Sequence, residues 1–188
     1  IGFEIVRALH PGSLDLGFGS GKGADLSASY LVFDKLSNLE GKIRRQNTRV
    51  SGGPPAREYQ VIDIALRLRA DAPFPMQIVL DGATNRKAPD QKRGFWAALV
   101  LGSLRDNRFR GEYTFATVDK DVTVAAYAGD DFFWATGWLG HRAEIAFAQS
   151  PKSSFHVIGQ MQQFKDSPIA AERTNWLKRL RLEARRTF

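Results

Sequence analysis

The strongest constraint in this chain is a hydrophobic period of two residues that keeps returning along its length. Between Glu58 and Ala70, Ile62, Ile64, Leu66 and Leu68 share one parity, while Asp63, Arg67 and Arg69 take the other. A strand sends successive side chains to opposite faces, so such a segment has one oily face and one charged face. The same split recurs in four further places. Phe109, Tyr113 and Phe115 oppose Arg108, Arg110, Glu112 and Thr114. Ala143, Ile145 and Phe147 oppose Arg142 and Glu144; Phe155, Val157 and Met161 oppose His156, Gln160 and Gln162. Leu180, Leu182, Ala184 and Phe188 oppose Arg179, Arg181, Glu183 and Arg185.

With Leu39–Thr48 and weaker stretches at Ile1–Ala8, Ser13–Gly19, Ala24–Lys35 and Phe74–Thr84, and with Arg93–Leu104 apolar on both faces, this pattern predicts about eleven strands. It predicts no amphipathic helix. The segment Asp119–Leu139 is the one place where a short helical turn fits. All 188 residues read as a single β domain.

Composition narrows the chemistry. The chain has no cysteine, which removes disulfides, thiol nucleophiles and cysteine metal sites. Its three histidines, His10, His141 and His156, lack metal-ligand spacing, so no metal or cofactor is expected. No stretch approaches the roughly 18 apolar residues of a spanning helix; Phe95 to Leu101 is the longest apolar block. The 27 basic against 20 acidic residues give a net charge of +7, which favours anionic partners without naming one.

Alternation alone fits a soluble barrel with the oily parity inside, or a membrane barrel with that parity facing lipid. Strand length favours the membrane, since most runs approach the ~9–11 residues that cross a bilayer when tilted. The connections favour it too. Short links at His10–Gly12, Leu36–Asn38, Ala72–Pro73, Arg105–Asn107 and Pro151–Lys152 alternate with mostly longer ones at Ser20–Gly23, Arg49–Arg57, Asn85–Lys92, Asp119–Leu139 and Asp166–Arg173. A meander that crosses a membrane keeps tight turns at one end and exposed loops at the other. Phe74, Trp96, Phe109, Trp176 and Phe188 sit near strand ends, as interfacial girdles require. The final Phe188 closes an alternating strand, in the manner of the terminal aromatic that serves outer-membrane barrels as an assembly signal.

From Arg57 to Phe188 the chain resembles the bacterial outer-membrane family called "putative porin". The resemblance runs through Pro73-Phe74-Pro75-Met76-Gln77, Gly111-Glu112-Tyr113-Thr114-Phe115, Val118-Asp119-Lys120-Asp121, Ala125-Ala126-Tyr127, Asp130-Asp131-Phe132, Gly137, Gly140-His141 and Leu180-Arg181-Leu182-Glu183. It is most specific from Gly111 to His141 and covers the first fifty or so residues only by strand character. It implies a transmembrane antiparallel up-and-down β-barrel in the outer membrane of a Gram-negative bacterium. It also implies outer-membrane lipids and the barrel-assembly machinery as partners, a pore role, and no catalytic residues. Single-chain bacterial barrels have even strand numbers. The odd count and the lack of an export signal lead to the expectation that the chain is the C-terminal part of a larger barrel, with a miscount by one strand as the alternative.

On this reading the charged parity lines water. The expected pore wall carries Lys42, Arg44, Arg67, Arg69, Arg108, Arg110, Arg142, Arg179, Arg181 and Arg185, with Glu112, Glu144 and Glu183 among its acids. Arginine and lysine rings favour anions. The acids offset this in part, so the expected function is passive diffusion of small hydrophilic solutes with mild anion preference. Association of copies stays open.

Two rivals remain: a soluble β-barrel carrier of a lipid-like ligand, and a basic nucleic-acid-binding β protein. The second is disfavoured because the basic residues are scattered over many strands. Other motifs fall short. Gly17 to Gly23 fits neither phosphate-loop spacing. Asp119, Asp121, Asp130 and Asp131 match no calcium loop, and that loop is expected to fold inward. Ser154 and His156 share a strand face but lack a placed acid and oxyanion donors, so no enzyme is expected.

Overall fold

The computed structural model describes residues 12–17, 23–33, 58–70, 74–105, 108–123, 136–167 and 169–186. The strands are β1 (Gly12–Gly17), β2 (Gly23–Phe33), β3 (Tyr59–Ala70), β4 (Met76–Asn85), β5 (Arg93–Ser103), β6 (Phe109–Val118), β7 (Trp138–Ser150), β8 (Ser153–Phe164) and β9 (Leu177–Arg186). They form one nine-stranded sheet in sequence order, every neighbouring pair antiparallel. Among the described residues β1 and β9 stand at the two edges and do not pair with each other. The fold is therefore an all-β up-and-down meander. Its long strands are rich in the β-branched and aromatic residues that suit a pleated surface, as in Gln60-Val61-Ile62-Asp63-Ile64 of β3.

The expected strands at Ile1–Ala8 and Leu39–Thr48 lie outside the described residues. β2 pairs directly with β3 from Gly23↔Arg69 to Phe33↔Tyr59, so nothing is interposed between them. This corrects the expected connectivity. The short and long ends are still segregated, and more cleanly. Segments 18–22, 71–75, 104–108 and 151–152 close one end, while 34–58, 86–92, 119–137 and 165–176 close the other. The glycine-rich link before β2, expected at the long end, belongs with the short ones. One turn of helix, α1 (Ala170–Thr174), falls in the last long link, where none was expected; most of Asp119–Leu139, where a turn was expected, lies outside the described residues. Two alanines favour helix there, and Glu172 in the first turn suits the helix dipole.

Register fixes which side chains share a face, because directly paired residues point the same way. One face carries Leu26, Ile64, Leu68, Leu80, Leu99, Tyr113, Ile145, Val157 and Leu182, all exposed. The other carries the acids, arginines and amides. Its buried apolar members gather toward the long-link end in two clusters. Phe33, Tyr59 and Val61 form the first, with the Phe33 and Tyr59 rings edge-on at 6.4 Å; Ala116 and Trp138 form the second.

The long-link end is tied down by Asn85, which is fully buried. Its Nδ2 donates to the carbonyls of Glu58 (3.0 Å) and Asp121 (2.9 Å), and its Oδ1 accepts from the backbone N–H of Gln60 and Lys87, each at 3.0 Å. That uses the full capacity of a primary amide. The Tyr59 hydroxyl donates to Asp121 Oδ1 at 3.1 Å, and Val122 packs where Gly94 leaves room, its methyl 3.3 Å from the position of an added Cβ. The base of link 119–137 thus folds over the polar face, in the direction the sequence suggested. Asn85→Ala removes the partner of four backbone groups, that of Asp121 in a buried bond and the others half-buried. It is expected to lower stability by about 2–4 kcal/mol, read as an earlier denaturant midpoint of the refolded chain.

At the short-link end, Gly102 has φ +76°, and a Cβ there would lie 2.5 Å from the Phe109 carbonyl oxygen. Only glycine satisfies both conditions.

Candidate functional site: the charged face of β6 to β9

The polar face concentrates its charge on β6, β7, β8 and β9. Arg110 and Glu112 lie two apart on β6, and Arg142 and Glu144 two apart on β7, with Glu112 and Glu144 directly paired across the ladder. Two cations and two anions therefore interleave. Arg142 donates to Glu112 at 2.9 Å and to Glu144, while Arg110 donates to Glu112 and lies 3.8 Å from Glu144. Burial is graded across the square: Glu144 is 3% exposed, whereas the Arg110 side chain keeps 32% of its surface. Guanidinium forks and carboxylates satisfy one another in such a lattice, which is how charge is tolerated in a crowded wall.

The lattice continues onto β8. Glu144 Oε1 lies 2.7 Å from His156 Nδ1, and His156 Nε2 lies 2.8 Å from the Ser154 hydroxyl. A one-residue bulge makes this possible. The hairpin starts at Ser150↔Ser153, then shifts so that Ala148 pairs Ser154 and Ala146 pairs His156. Without the extra residue at Gln149, His156 would face Phe147 on the apolar side, because a one-residue slip exchanges faces. On β9, Glu183 accepts from Arg181 at 2.6 Å and from Arg185 Nε and NH2 at 2.8 and 2.6 Å.

Of the residues expected to line water, Arg110, Glu112, Arg142 and Glu144 form the square, and Arg179, Arg181, Glu183 and Arg185 extend the same face on β9. Arg67 and Arg69 lie apart from these on the same face of β3, Arg69 pairing with Asp25 at 3.1 Å. Arg108 precedes β6 with φ 57° and gives its carbonyl to Ala148 N–H, so strand parity does not place its side chain on the wall. Lys42, Arg44 and Phe188 lie outside the described residues, as do Asp130 and Asp131.

The aromatic residues need one correction. Trp96 pairs with Asp81 and Ala116 and packs on the Ala116–Trp138 cluster, so it belongs to the polar face and not to a girdle. Two aromatic rows do cross the apolar face. Phe109, Phe147 and Phe155 pair in one row at the short-link end. Six residues along β6, about 20 Å at strand rise, a second group holds Phe95, Phe115, His141 and Trp176; His141 lies 5.2 and 5.6 Å from the rings of Phe115 and Trp176. The Tyr113 hydroxyl meets His141 Nδ1 at 2.7 Å, giving this half-polar pair a partner within the apolar face. Sequence parity placed Tyr113 correctly but gave no sign of this pairing, which depends on the β6–β7 register.

Comparison with protein-family models, with curated proteins and with solved structures finds no match.

Proposed function

We propose that the sheet is wall of a transmembrane β-barrel of the Gram-negative outer membrane, a porin that passes small hydrophilic solutes with a mild preference for anions. One observation carries this reading: burial runs opposite to that of a water-soluble sheet. Ile145, Phe147, Phe155 and Leu180 are 58, 54, 53 and 71% exposed, while Glu144 and His156, on the other face of the same sheet, are 3 and 4% exposed. The last long link meets this face at its end, where Trp176 packs on His141, while Leu99, Ile145, Phe147, Phe155 and Leu180 stay exposed. A continuous band of exposed Leu, Ile, Val and Phe that is costly in water is stabilised in hydrocarbon.

Strand lengths of ten to thirteen residues in β2 to β9 agree with tilted crossing. The segregated short and long links and the two aromatic rows agree with it as well. A soluble lipid carrier would need the apolar face to enclose its ligand, which leaves the buried ionic square on the outside. Lipids of the outer membrane and the barrel-assembly machinery are the partners this reading requires.

On β6 to β9 the polar face presents Arg110, Arg142, Arg179, Arg181 and Arg185 against Glu112, Glu144 and Glu183, a positive excess. Asp25, Asp63 and Asp81 against Arg67 and Arg69 on β2 to β4 offset part of it. The test is conductance of the refolded chain in planar bilayers under a salt gradient. The expected reversal potential shows anion preference, and Arg179→Glu with Arg181→Glu, both exposed positions, moves it toward cations. A cation-selective parent contradicts the charge argument, and absence of conductance from a complete, refolded barrel contradicts the pore.

A further inference from the structure

The polar face carries one arrangement that a passive wall does not use: the chain of contacts Ser154, His156, Glu144. A serine hydroxyl lies 2.8 Å from one imidazole nitrogen, and a carboxylate lies 2.7 Å from the other. The imidazole is buried at 4% exposure and the carboxylate at 3%. Glu144 accepts from Nδ1–H, which leaves Nε2 to accept from the serine. That is the tautomer a nucleophile-activating base requires. The sequence offered the serine and the histidine without an acid. The acid comes from the neighbouring strand, delivered by the bulge at Gln149.

The hydroxyl is also reachable. Ser154 is half-buried and borders an open groove of about 710 Å³ at the short-link end, lined also by Ser150, Lys152, Ser153 and Arg185 and by Phe155 and Ala184 of the apolar face. That volume lies within the range of small-molecule sites. Arg185 pairs directly with Ser154 across the β8–β9 ladder, and Lys152 adds a second cation. The Arg185 guanidinium is engaged by Glu183, so Lys152 is the cation at this end suited to an anionic group on a substrate. The groups that face His156 are Glu144 with its partners Arg142 and Arg110, and Glu183 with its partners Arg181 and Arg185.

We propose that Ser154, His156 and Glu144 form a serine-hydrolase triad that cleaves carboxylic esters entering this groove. Ser154 Oγ bonds to the ester carbonyl carbon while its proton passes to His156 Nε2. Glu144 holds Nδ1–H and stabilises the imidazolium. The tetrahedral intermediate expels the alcohol oxygen, which takes the proton from Nε2. Water then adds to the acyl-serine carbonyl and gives a proton to His156. Collapse returns that proton to Ser154 and releases the carboxylic acid. Ser154 and His156 are the catalytic residues; Glu144 is a positioning residue. The assignment does not depend on pore function, since any water-filled groove at this end serves.

The test uses the full chain refolded in detergent, with folding checked by far-UV circular dichroism. A fluorophosphonate probe is followed by mass spectrometry and p-nitrophenyl butyrate by absorbance. The expected result is labelling at Ser154 and turnover above detergent controls. Ser154→Ala removes both, and Ser29→Ala on the distant strand β2 changes neither. His156→Ala lowers the labelling rate at least about 100-fold. Glu144→Asp retains more of the rate than Glu144→Gln, a ranking that packing alone does not produce. A folded parent chain that is neither labelled nor active overturns the proposal, and so does labelling that survives Ser154→Ala.

Discussion

Ile145→Arg is expected to destabilise the chain folded in lipid vesicles by about 2–4 kcal/mol, the cost of a cation near the middle of a lipid-facing strand. Ile145 is 58% exposed and lies near the middle of β7, two residues from Phe147 of one aromatic row and four from His141 of the other, with Gly111 and Val157 as its direct neighbours. The same change at Leu139, near the long-link end of the same face, is expected to cost only about 0–1 kcal/mol, because a side chain there reaches the headgroups. Reversible urea titration of folding into vesicles measures both. The contrast separates the readings of the sheet. On a water-exposed face neither substitution changes stability by more than about 0.5 kcal/mol, and solubility in the absence of detergent rises.

Glu144→Ala is expected to cost about 3–5 kcal/mol, because it leaves the cations of a buried lattice short of an anion. Arg110 and Arg142 would then share Glu112 alone, and the His156 ring would lose its 2.7 Å partner. Adding Arg142→Met restores charge balance in the square and is expected to recover more than half of the loss. The measurement is the denaturant midpoint of both variants and of Arg142→Met alone, closed as a double-mutant cycle. Equal losses for the single and double variants would show that shape, not charge, sets the cost.

What could be read from the residues, and what could not, follows from the physics of strands. Parity is local, so the alternation at Ile62–Leu68, Phe109–Phe115 and Ala143–Phe147 assigned the two faces correctly from neighbours alone. Link length is local as well, and from β3 onward short and long connections alternate as expected, whereas the link before β2 and the one between β2 and β3 were assigned otherwise. Register is not local. The contact between Glu144 and His156 depends on a two-residue turn and an extra residue at Gln149, neither of which alternation reveals. Trp96 was misplaced for a related reason: β5 is apolar on both faces, so its parity carried no sign of which side was polar. Asn85 ends an otherwise ordinary strand, and only the folded arrangement of Glu58, Lys87 and Asp121 around its amide shows that it ties three segments together. The direct β2–β3 ladder escaped notice because Leu39–Thr48 alternates like a strand, while pairing across 25 intervening residues is a long-range choice.

The central claim is that the apolar parity faces hydrocarbon and the charged parity faces water. The chain contains no cysteine, so single cysteines can be placed without background. Spin labels at successive positions from Arg142 to Phe147, in the chain refolded into vesicles, report collision with oxygen, which partitions into lipid, and with a water-soluble nickel chelate. The account predicts oxygen maxima at 143, 145 and 147, with relative nickel access higher at 142, 144 and 146. Alternation of the opposite phase, or equal nickel access at every position, would contradict it.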